Sequence, residues 1–488
     1  MEGGLLKTAS KGVVWTTAST VVRSLVSLLQ VTILARYLSK EEFGIIAIAT
    51  IFIGFAEIFM DMGISNGIMH RQNTTKDEYS SLFWLNVSLG VILTGLIAVS
   101  TLLISRLYKE PILISVLSLL SLGILFSSFG SQHRIVQQKN FRFRTISIVE
   151  ISSAVCTLVS VLIFVELGWG IYSLVFSTLV NHLVSNTSFL IIGLTKDRNV
   201  RFHFMLKETY PCLKIGIYSV ASDIFNYFSR EIDVILISAT LGKDILGVYS
   251  LCKKIIVALF NAINPILTKV LTPLFALIQN EKTRIKTVYY DIVESVSLLS
   301  FPIYFCVAIF SYAVLYYLYG ESYTSGTITL AILALYYGYL SSSHPIGPLL
   351  VALGKTDLCF YWTVLRTAFM ALAVLVGSML GINGIVAAML LFTLLTVPIM
   401  WRMAIRNTIG GTCASYVILS YKSFTALLLL AAPFLFLTTT MTSLWLIIPI
   451  AILYFGLYII ALRVLFHNTY LVRIIKEKVV SRNKCKIY

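Results

Sequence analysis

The sequence predicts an all-α polytopic membrane protein with about fourteen transmembrane helices. Of its 488 residues, 58% are hydrophobic and 12% charged, against roughly 25% charged in an ordinary soluble domain. A spanning helix needs roughly 20 apolar residues, so the apolar content suffices for about fourteen spans, one for every 35 residues or so. Lysine and arginine, moreover, gather on alternate sides of those spans. A soluble enzyme is excluded, and no segment is left for a sizeable domain outside the bilayer.

Apolar segments bounded by charge or by Gly and Pro clusters lie at 12–36, 43–67, 81–105, 111–131, 145–167 and 169–194. The polar stretch from Thr195 to Glu208 interrupts the pattern, and six segments follow at 211–241, 245–275, 288–319, 324–352, 358–380 and 382–405. Two more, 416–439 and 441–466, complete the set. This pattern divides the chain into a six-helix bundle over 1–195, a second over 196–408, and two additional helices with a basic tail over 409–488. Met1 to Lys11 leads into an apolar run without an A-x-A cleavage site, so the first segment reads as a retained span. In the tenth, Ser341-Ser342-Ser343-His344-Pro345 places a helix breaker, which is either a hinge or a packing kink.

A net charge of +16 suggests nucleic acid in a soluble chain, but the positive-inside rule accounts for it here. With the N-terminus inside, about 25 Lys and Arg fall on the cytoplasmic side and about five outside. The inside set runs from Lys7 and Lys11 to the tail after Arg463, and the outside set is Arg36, Lys40, Arg106, Lys109 and Lys243. The bias predicts an even number of spans, cytoplasmic termini and no nucleic-acid partner. Lys139-Asn140-Phe141-Arg142-Phe143-Arg144 interleaves aromatics with cations, a pattern read as contact with anionic headgroups or as a topology signal.

Two motifs repeat. Leu38-Ser39-Lys40-Glu41-Glu42-Phe43-Gly44 and Leu241-Gly242-Lys243-Asp244-Ile245-Leu246-Gly247 share L-x-K-[DE]-x-x-G. Leu167-Gly168-Trp169-Gly170-Ile171 is echoed by Leu380-Gly381-Ile382-Asn383-Gly384-Ile385. Both members of each pair fall on the outer side by the charge count, which predicts two pseudo-symmetric halves in parallel orientation.

Charges within lipid cost a few kcal/mol unless they pair or face water, and their spacing here is ordered. Steps of three and four residues put Ser19, Arg23, Ser27 and Gln30 on one face of span one. Span seven aligns Ser219, Asp223, Asn226, Arg230 and Asp233; span eight aligns Ser250, Lys254, Asn261, Asn264 and Thr268, with Lys253 beside them. Span six aligns Ser173, Ser177, Asn181, Ser185 and Ser188, and span two holds Glu57 and Asp61 one turn apart. Each stripe has two readings. One is helix–helix hydrogen bonding and ion pairs, such as Glu57 with Arg23 or Arg230 with Asp233. The other is a polar cavity shared by the halves, which the set over spans one, two, seven and eight favours. Cations there suit an anionic substrate such as a phosphate, which guanidinium holds through paired bonds. The candidate substrate-binding residues are Arg23, Arg230, Lys253, Lys254, Asn226, Gln30 and Arg366. Glu150 and Arg366 occupy near-equivalent points of the repeat and are candidates for a pair across the halves. Asp291 and Glu294 read as interfacial, and Lys269 and Lys422 as snorkelling to the surface.

Chemistry of other kinds is missing. Gly354-Lys355-Thr356 lacks the glycine that a phosphate-binding loop needs five residues earlier, where Leu349 stands. Six histidines and seven cysteines show no ligand spacing. No long outer loop is available to carry catalytic groups, so no enzyme, metal or cofactor is expected.

Leu34-Ala35-Arg36-Tyr37-Leu38-Ser39-Lys40-Glu41-Glu42-Phe43-Gly44, with Phe52-Ile53-Gly54-Phe55 and Asp61-Met62-Gly63-Ile64-Ser65 after it, resembles Wzx-type polysaccharide flippases. So do Gln137-Gln138-Lys139-Asn140-Phe141-Arg142-Phe143-Arg144 and Ile232-Asp233-Val234-Ile235-Leu236-Ile237 followed by Leu246-Gly247-Val248-Tyr249. The likeness covers spans one to eight, thins beyond them, and is closest to the colanic-acid and teichuronic-acid branch of the multidrug/oligosaccharidyl-lipid/polysaccharide superfamily. It implies two MATE-like six-helix bundles working by alternating access in the bacterial cytoplasmic membrane. The implied substrate is an oligosaccharide on undecaprenyl diphosphate, with membrane lipids, a polysaccharide polymerase and a chain-length regulator as further partners. Arg23 is the best match to the cavity arginines of related lipid flippases. Superfamily membership also implies ion coupling, for which Glu57, Asp61, Asp233 and Glu150 are the candidates. Two other readings stay open: a cation-coupled multidrug antiporter of the same superfamily, and a non-catalytic membrane subunit of a glycan assembly complex.

Overall fold

The computed structural model describes residues 2–70, 75–197, 201–406, 408–437 and 443–465. Among the described residues there are helices and turns and no strand. The chain forms two compact units, Met1–Ser250 and Leu251–Tyr488.

The first unit contains α1 (Glu2–Leu34), α2 (Lys40–Asp61), α3 (Ile64–His70), α4 (Lys76–Tyr108), α5 (Ile112–Lys139), α6 (Phe143–Glu166), α7 (Tyr172–Ile192), α8 (Leu206–Thr240) and the first turns of α9 (Lys243–Leu277). Two helix starts are closed by capping boxes: Ser39 with Glu42 for α2 and Thr75 with Glu78 for α4. Each satisfies backbone N–H groups that nothing apolar can satisfy. Within the unit α5 packs on α4 and α7, α6 on α7 and α1, and α8 on α2, α3 and α4. That last packing puts α8 in the first unit, so the contact boundary falls one helix beyond the division drawn from the hydropathy pattern.

Both sequence repeats have a backbone reason. In the first, the Lys243 carbonyl occupies the place a Cβ on Gly44 would take, and the Lys40 carbonyl does the same at Gly247. The two glycines therefore let the starts of α2 and α9 approach reciprocally, as small residues do between membrane helices. In the second, Gly168 and Gly381 take φ of +73° and +74°, the left-handed region that favours glycine.

The second unit holds the rest of α9, then α10 (Lys282–Ile309), α11 (Ser311–Tyr319), α12 (Thr327–Ser343), α13 (Ile346–Ala352), α14 (Thr356–Ser378), α15 (Gly381–Leu395), α16 (Val397–Met400), α17 (Cys413–Leu437) and α18 (Leu444–Leu465). Its core centres on α10, against which α12 and α17 pack through Phe301, Phe305 and Phe424. The predicted breaker acts as a break: α12 ends at Ser343, and Pro345, which has no N–H to donate, precedes α13.

Among the described residues, twelve helices are long and apolar enough to cross a membrane, where the sequence predicts about fourteen. The remaining two expected segments correspond to α8 and to α12 with α13. Asp223, Arg230, Glu231 and Asp233 dilute the apolar character of α8, and α12 stops after 17 residues.

Candidate functional site

Charge inside the first unit is organised around Glu150. Its carboxylate, on α6, is 3.1 Å from Arg23 Nη1 of α1 and 2.8 Å from Arg134 Nη2 of α5, and Arg134 Nε also donates to it at 3.2 Å. Glu150 is buried, whereas the two arginines are half-exposed. This triad corrects two expectations. Glu150 is held by two arginines of its own unit rather than by Arg366, and Arg23 pairs with Glu150 rather than Glu57. Arg134 was missed because the charge count assigned it to a cytoplasmic loop, but α5 runs on to Lys139 and carries it within a helix.

A second polar group lies where α8 meets α2. Tyr227 Oη donates to the Ile51 carbonyl at 2.6 Å, Gly54 leaves room for that ring, and Phe55 packs on Phe228. Beside this contact Asp223, Asn226 and Arg230 of α8 are exposed, and Glu57 of α2 is exposed as well. Asp61 accepts from the Ser65 hydroxyl and backbone N–H, and it interacts electrostatically with Asp223. Arg230 pairs with Glu231 at 3.1 Å and sits over the Tyr227 ring. Asp233, by contrast, is buried and accepts from the Tyr249 hydroxyl and the Val234 N–H.

Other predicted residues serve helix packing. Gln30 Nε2 donates to Ser177 Oγ at 3.3 Å, bracing α1 on α7. Asn181 of the serine-rich face donates to Thr157 on α6, and Ser173 and Ser177 are buried. The hydrogen-bonding reading therefore accounts for Ser177 and Asn181 of that stripe, whereas the buried Ser173 hydroxyl has no hydrogen-bond partner among the described residues.

In the second unit Lys253 is buried and Lys254 exposed. Asn264 is buried, donates to the Phe260 carbonyl and accepts from Ser341, while Thr268 and His344 Nε2 lie 2.8 Å apart. Arg366, on α14, is half-buried and lines a cavity of about 220 Å³. Its Nη2 donates to Tyr336 Oη at 3.3 Å. Lys422, expected to reach the surface, pairs with Glu294 at 3.8 Å.

Near the helix ends, Lys243 bridges Glu41 at 3.3 Å and Glu110 at 2.7 Å. At the start of α8, Glu208 accepts from Ser81 Oγ at 2.6 Å and lies 3.1 Å from His203 Nε2. The Ser81 hydrogen bond, followed by that of His203, holds the Glu208 carboxyl below the usual carboxylate range. No group of three His, Cys, Asp or Glu among the described residues is placed to hold a metal.

The family model for polysaccharide biosynthesis proteins matches residues 33–327, well over half of the chain. The chain belongs to that family. It is 28% identical over 419 residues to the lipopolysaccharide biosynthesis protein WzxC of Escherichia coli K12, spanning 85% of this chain and 84% of that one. It is also 28% identical over 388 residues to the teichuronic acid biosynthesis protein TuaB of Bacillus subtilis 168, spanning 78% and 80%. Among solved structures, the lipid II flippase MurJ in an inward closed conformation superposes with a TM-score of 0.70 at 17% identity, over 93% of this chain and 99% of that one. At that identity the superposition establishes the fold alone: an all-helical membrane protein.

Proposed function

We propose that this chain is a flippase that moves an undecaprenyl-diphosphate-linked oligosaccharide from the inner to the outer leaflet of the bacterial cytoplasmic membrane by alternating access. One observation carries the reading: charge is exposed at membrane depth. Arg23, Glu57, Asp223, Arg230 and Lys254 all lie within helices and none is buried. A charged side chain facing lipid near the bilayer centre costs about 3 kcal/mol, so Glu57, Asp223 and Lys254, which form no ion pair among the described residues, would cost on the order of 10 kcal/mol. A water-filled route removes that penalty. A static scaffold has no use for such a route, and a transporter requires one.

Relatives supply the substrate class, since their names tie them to lipopolysaccharide and teichuronic acid. Arg230 on α8 is a candidate contact for the diphosphate through the paired bonds of its guanidinium, and Lys254 on α9 is a separate candidate as a point charge. Organic cations, the cargo of a multidrug antiporter, would be repelled by those groups. Glu57, Asp61 and Asp223 are the coupling candidates, because the carboxylates of Glu57 and Asp223 are exposed and that of Asp61 is bound only by Ser65 and the Gly63 backbone. Asp233 and Glu150 are braces, each carboxylate being engaged by helix neighbours. The positive-inside bias supports cytoplasmic termini, and a polysaccharide polymerase and chain-length regulator would receive the product outside.

Replacing Arg230 or Lys254 with Ala in cells that depend on this chain tests the proposal through the surface polysaccharide. Export should fall at least tenfold or so with membrane insertion intact, as expected when a charge-assisted contact is removed. Unchanged export in both variants refutes the cationic route.

A further inference from the structure

Two lysines remote in sequence meet on one turn of the second unit. Lys286, in the first turns of α10, holds its ammonium over the Tyr290 ring, 5.9 Å from the centroid. The same Nζ lies 3.4 Å from where a Cβ on Gly411 would stand. Lys355, immediately before α14, donates from Nζ to Thr408 Oγ1 at 3.4 Å. Thr408 and Gly411 belong to one turn, residues 408–412, which leads into α17. Arg402 and Arg406, both exposed, stand on the chain just before it. Glycine lets this turn close on α10. Gly410 and Gly411 take φ of +72° and +106°, and a Cβ on Gly411 would lie 2.9 Å from Tyr290 Oη.

Topology accounts for exposed lysines and arginines near helix ends. It does not account for two half-buried ammonium groups packed on one turn. Lys286 has no ion pair among the described residues, and of the acids near it Glu281 is bound by Arg284 at 3.3 Å and Glu294 by Lys422 at 3.8 Å. A half-buried cation without a carboxylate calls for an anion from outside the chain. Depth names the source. The apolar stretches Thr283–Ile309, Asp357–Ser378 and Cys413–Leu435 are each long enough to cross a membrane, and all three begin beside this turn. The turn therefore lies near headgroup level rather than in hydrocarbon. Phosphates of anionic lipids stand at that level, and basic pockets between spanning helices suit them. Next to the turn Ala414 is exposed, and Ile418, one turn further into α17, is 61% exposed. That apolar surface suits the acyl chain attached to such a phosphate, and a phosphate free in water would make no use of it.

We infer that Lys286 and Lys355 form a site for the phosphate of an anionic phospholipid in the cytoplasmic leaflet, with the 408–412 turn between them and the start of α17 against the acyl chain. Each ammonium acts as a point charge, and the positive-inside bias supports the cytoplasmic side. The inference stands apart from the flippase reading, because such a site anchors the second unit at headgroup depth whatever the chain transports.

The test is native mass spectrometry of the purified full chain, titrated in detergent with phosphatidylglycerol or with phosphatidylcholine. The first phosphatidylglycerol should bind at least roughly fivefold more tightly than phosphatidylcholine, as one lysine near a lipid phosphate provides. Lys286→Gln and Lys355→Gln should each lower phosphatidylglycerol affinity about fivefold and leave phosphatidylcholine unchanged. Lys286→Arg, which keeps the charge, should retain the preference. Arg284→Gln removes an exposed cation from the same end of α10 and should change little. Equal binding of the two lipids, or an equal loss in Arg284→Gln and Lys286→Gln, overturns the inference. Should one glutamine variant not fold, unchanged binding in the other overturns it equally. Inorganic phosphate in excess should not displace the phosphatidylglycerol. Displacement would assign the turn to a soluble phosphate and overturn the lipid site. Binding is read here without transport, so failure leaves the flippase reading standing. That reading falls only with the export assays on Arg230 and Lys254.

Discussion

The α14–α15 hairpin offers a perturbation whose size follows from geometry. Gly377 and Gly384 face each other across it. A Cβ on Gly377 would lie 2.6 Å from the Gly384 carbonyl oxygen, and one on Gly384 would lie 2.5 Å from the Gly377 oxygen. Ordinary contact starts at 3.4 Å, so alanine at either position forces the helices apart by about 0.8 Å, an overpacking that costs about 2 kcal/mol. One separation relieves both of these carbonyl clashes, and the 2.4 Å approach of a Gly384 Cβ to Leu380 Cβ is left to local adjustment of that side chain. The double variant should therefore lose about 2–3 kcal/mol rather than the 4 expected from addition, a coupling of about 1–2 kcal/mol. Thermal unfolding of the purified single and double variants reads this out. Each single change should lower the midpoint by about 4–8 °C, and the double only slightly more. Strict additivity, or alanine without effect at either site, would refute the reciprocal-contact reasoning. The spacing also matters to the cavity, because Arg366 and Trp362 stand on α14 and Phe392 on α15.

Three further outcomes follow from the geometry. Glu150→Ala leaves Arg23 and Arg134 without their shared carboxylate and should destabilise the chain by about 2 kcal/mol, less than a fully buried pair because both arginines are half-exposed. Arg134→Ala alone should cost less than half as much in the same unfolding assay, since Arg23 still holds the carboxylate. At the start of α8, the depressed Glu208 titration adds stability that is complete above the ordinary carboxylate range near pH 4 and is lost as pH falls through the lower folded value. Hydrogen-exchange protection of residues 201–208, taken relative to the intrinsic rate at each pH, should therefore fall on acidification in the native chain and stay constant in Glu208→Gln. At the reciprocal crossing, Gly44→Ala should lower the unfolding midpoint more than Lys243→Ala. The first meets a main-chain carbonyl, whereas the second removes partly exposed ion pairs worth under about 1 kcal/mol.

Much of the fold was legible in one dimension. Apolar runs marked the helices and Pro345 marked a break. The repeated glycines were visible as a pattern, while their purpose was not. Gly44 and Gly247 are about two hundred residues apart in sequence, and only folding sets each against the other's motif. Candidate residues divided along the same line. Helical spacing grouped Asp223, Asn226, Arg230 and Asp233 on one face of α8, but it could not tell that the first three are exposed and Asp233 is buried. It could not tell that Gln30 and the serine stripe of α7 are used in packing.

Pairing is where sequence reasoning failed, and Glu150 shows why. Its repeat position suggested Arg366, yet the partners are Arg23 and Arg134, on helices that pack beside α6 within one unit. By itself the sequence determined membrane residence, helical class, helix positions and the presence of charges too costly to leave in lipid, because these depend on composition and local periodicity. Only the tertiary structure decided which charges neutralise one another, which remain exposed and which line a cavity. Electrostatic pairing depends on distances of a few ångströms between helices remote in the chain, and packing alone sets those distances.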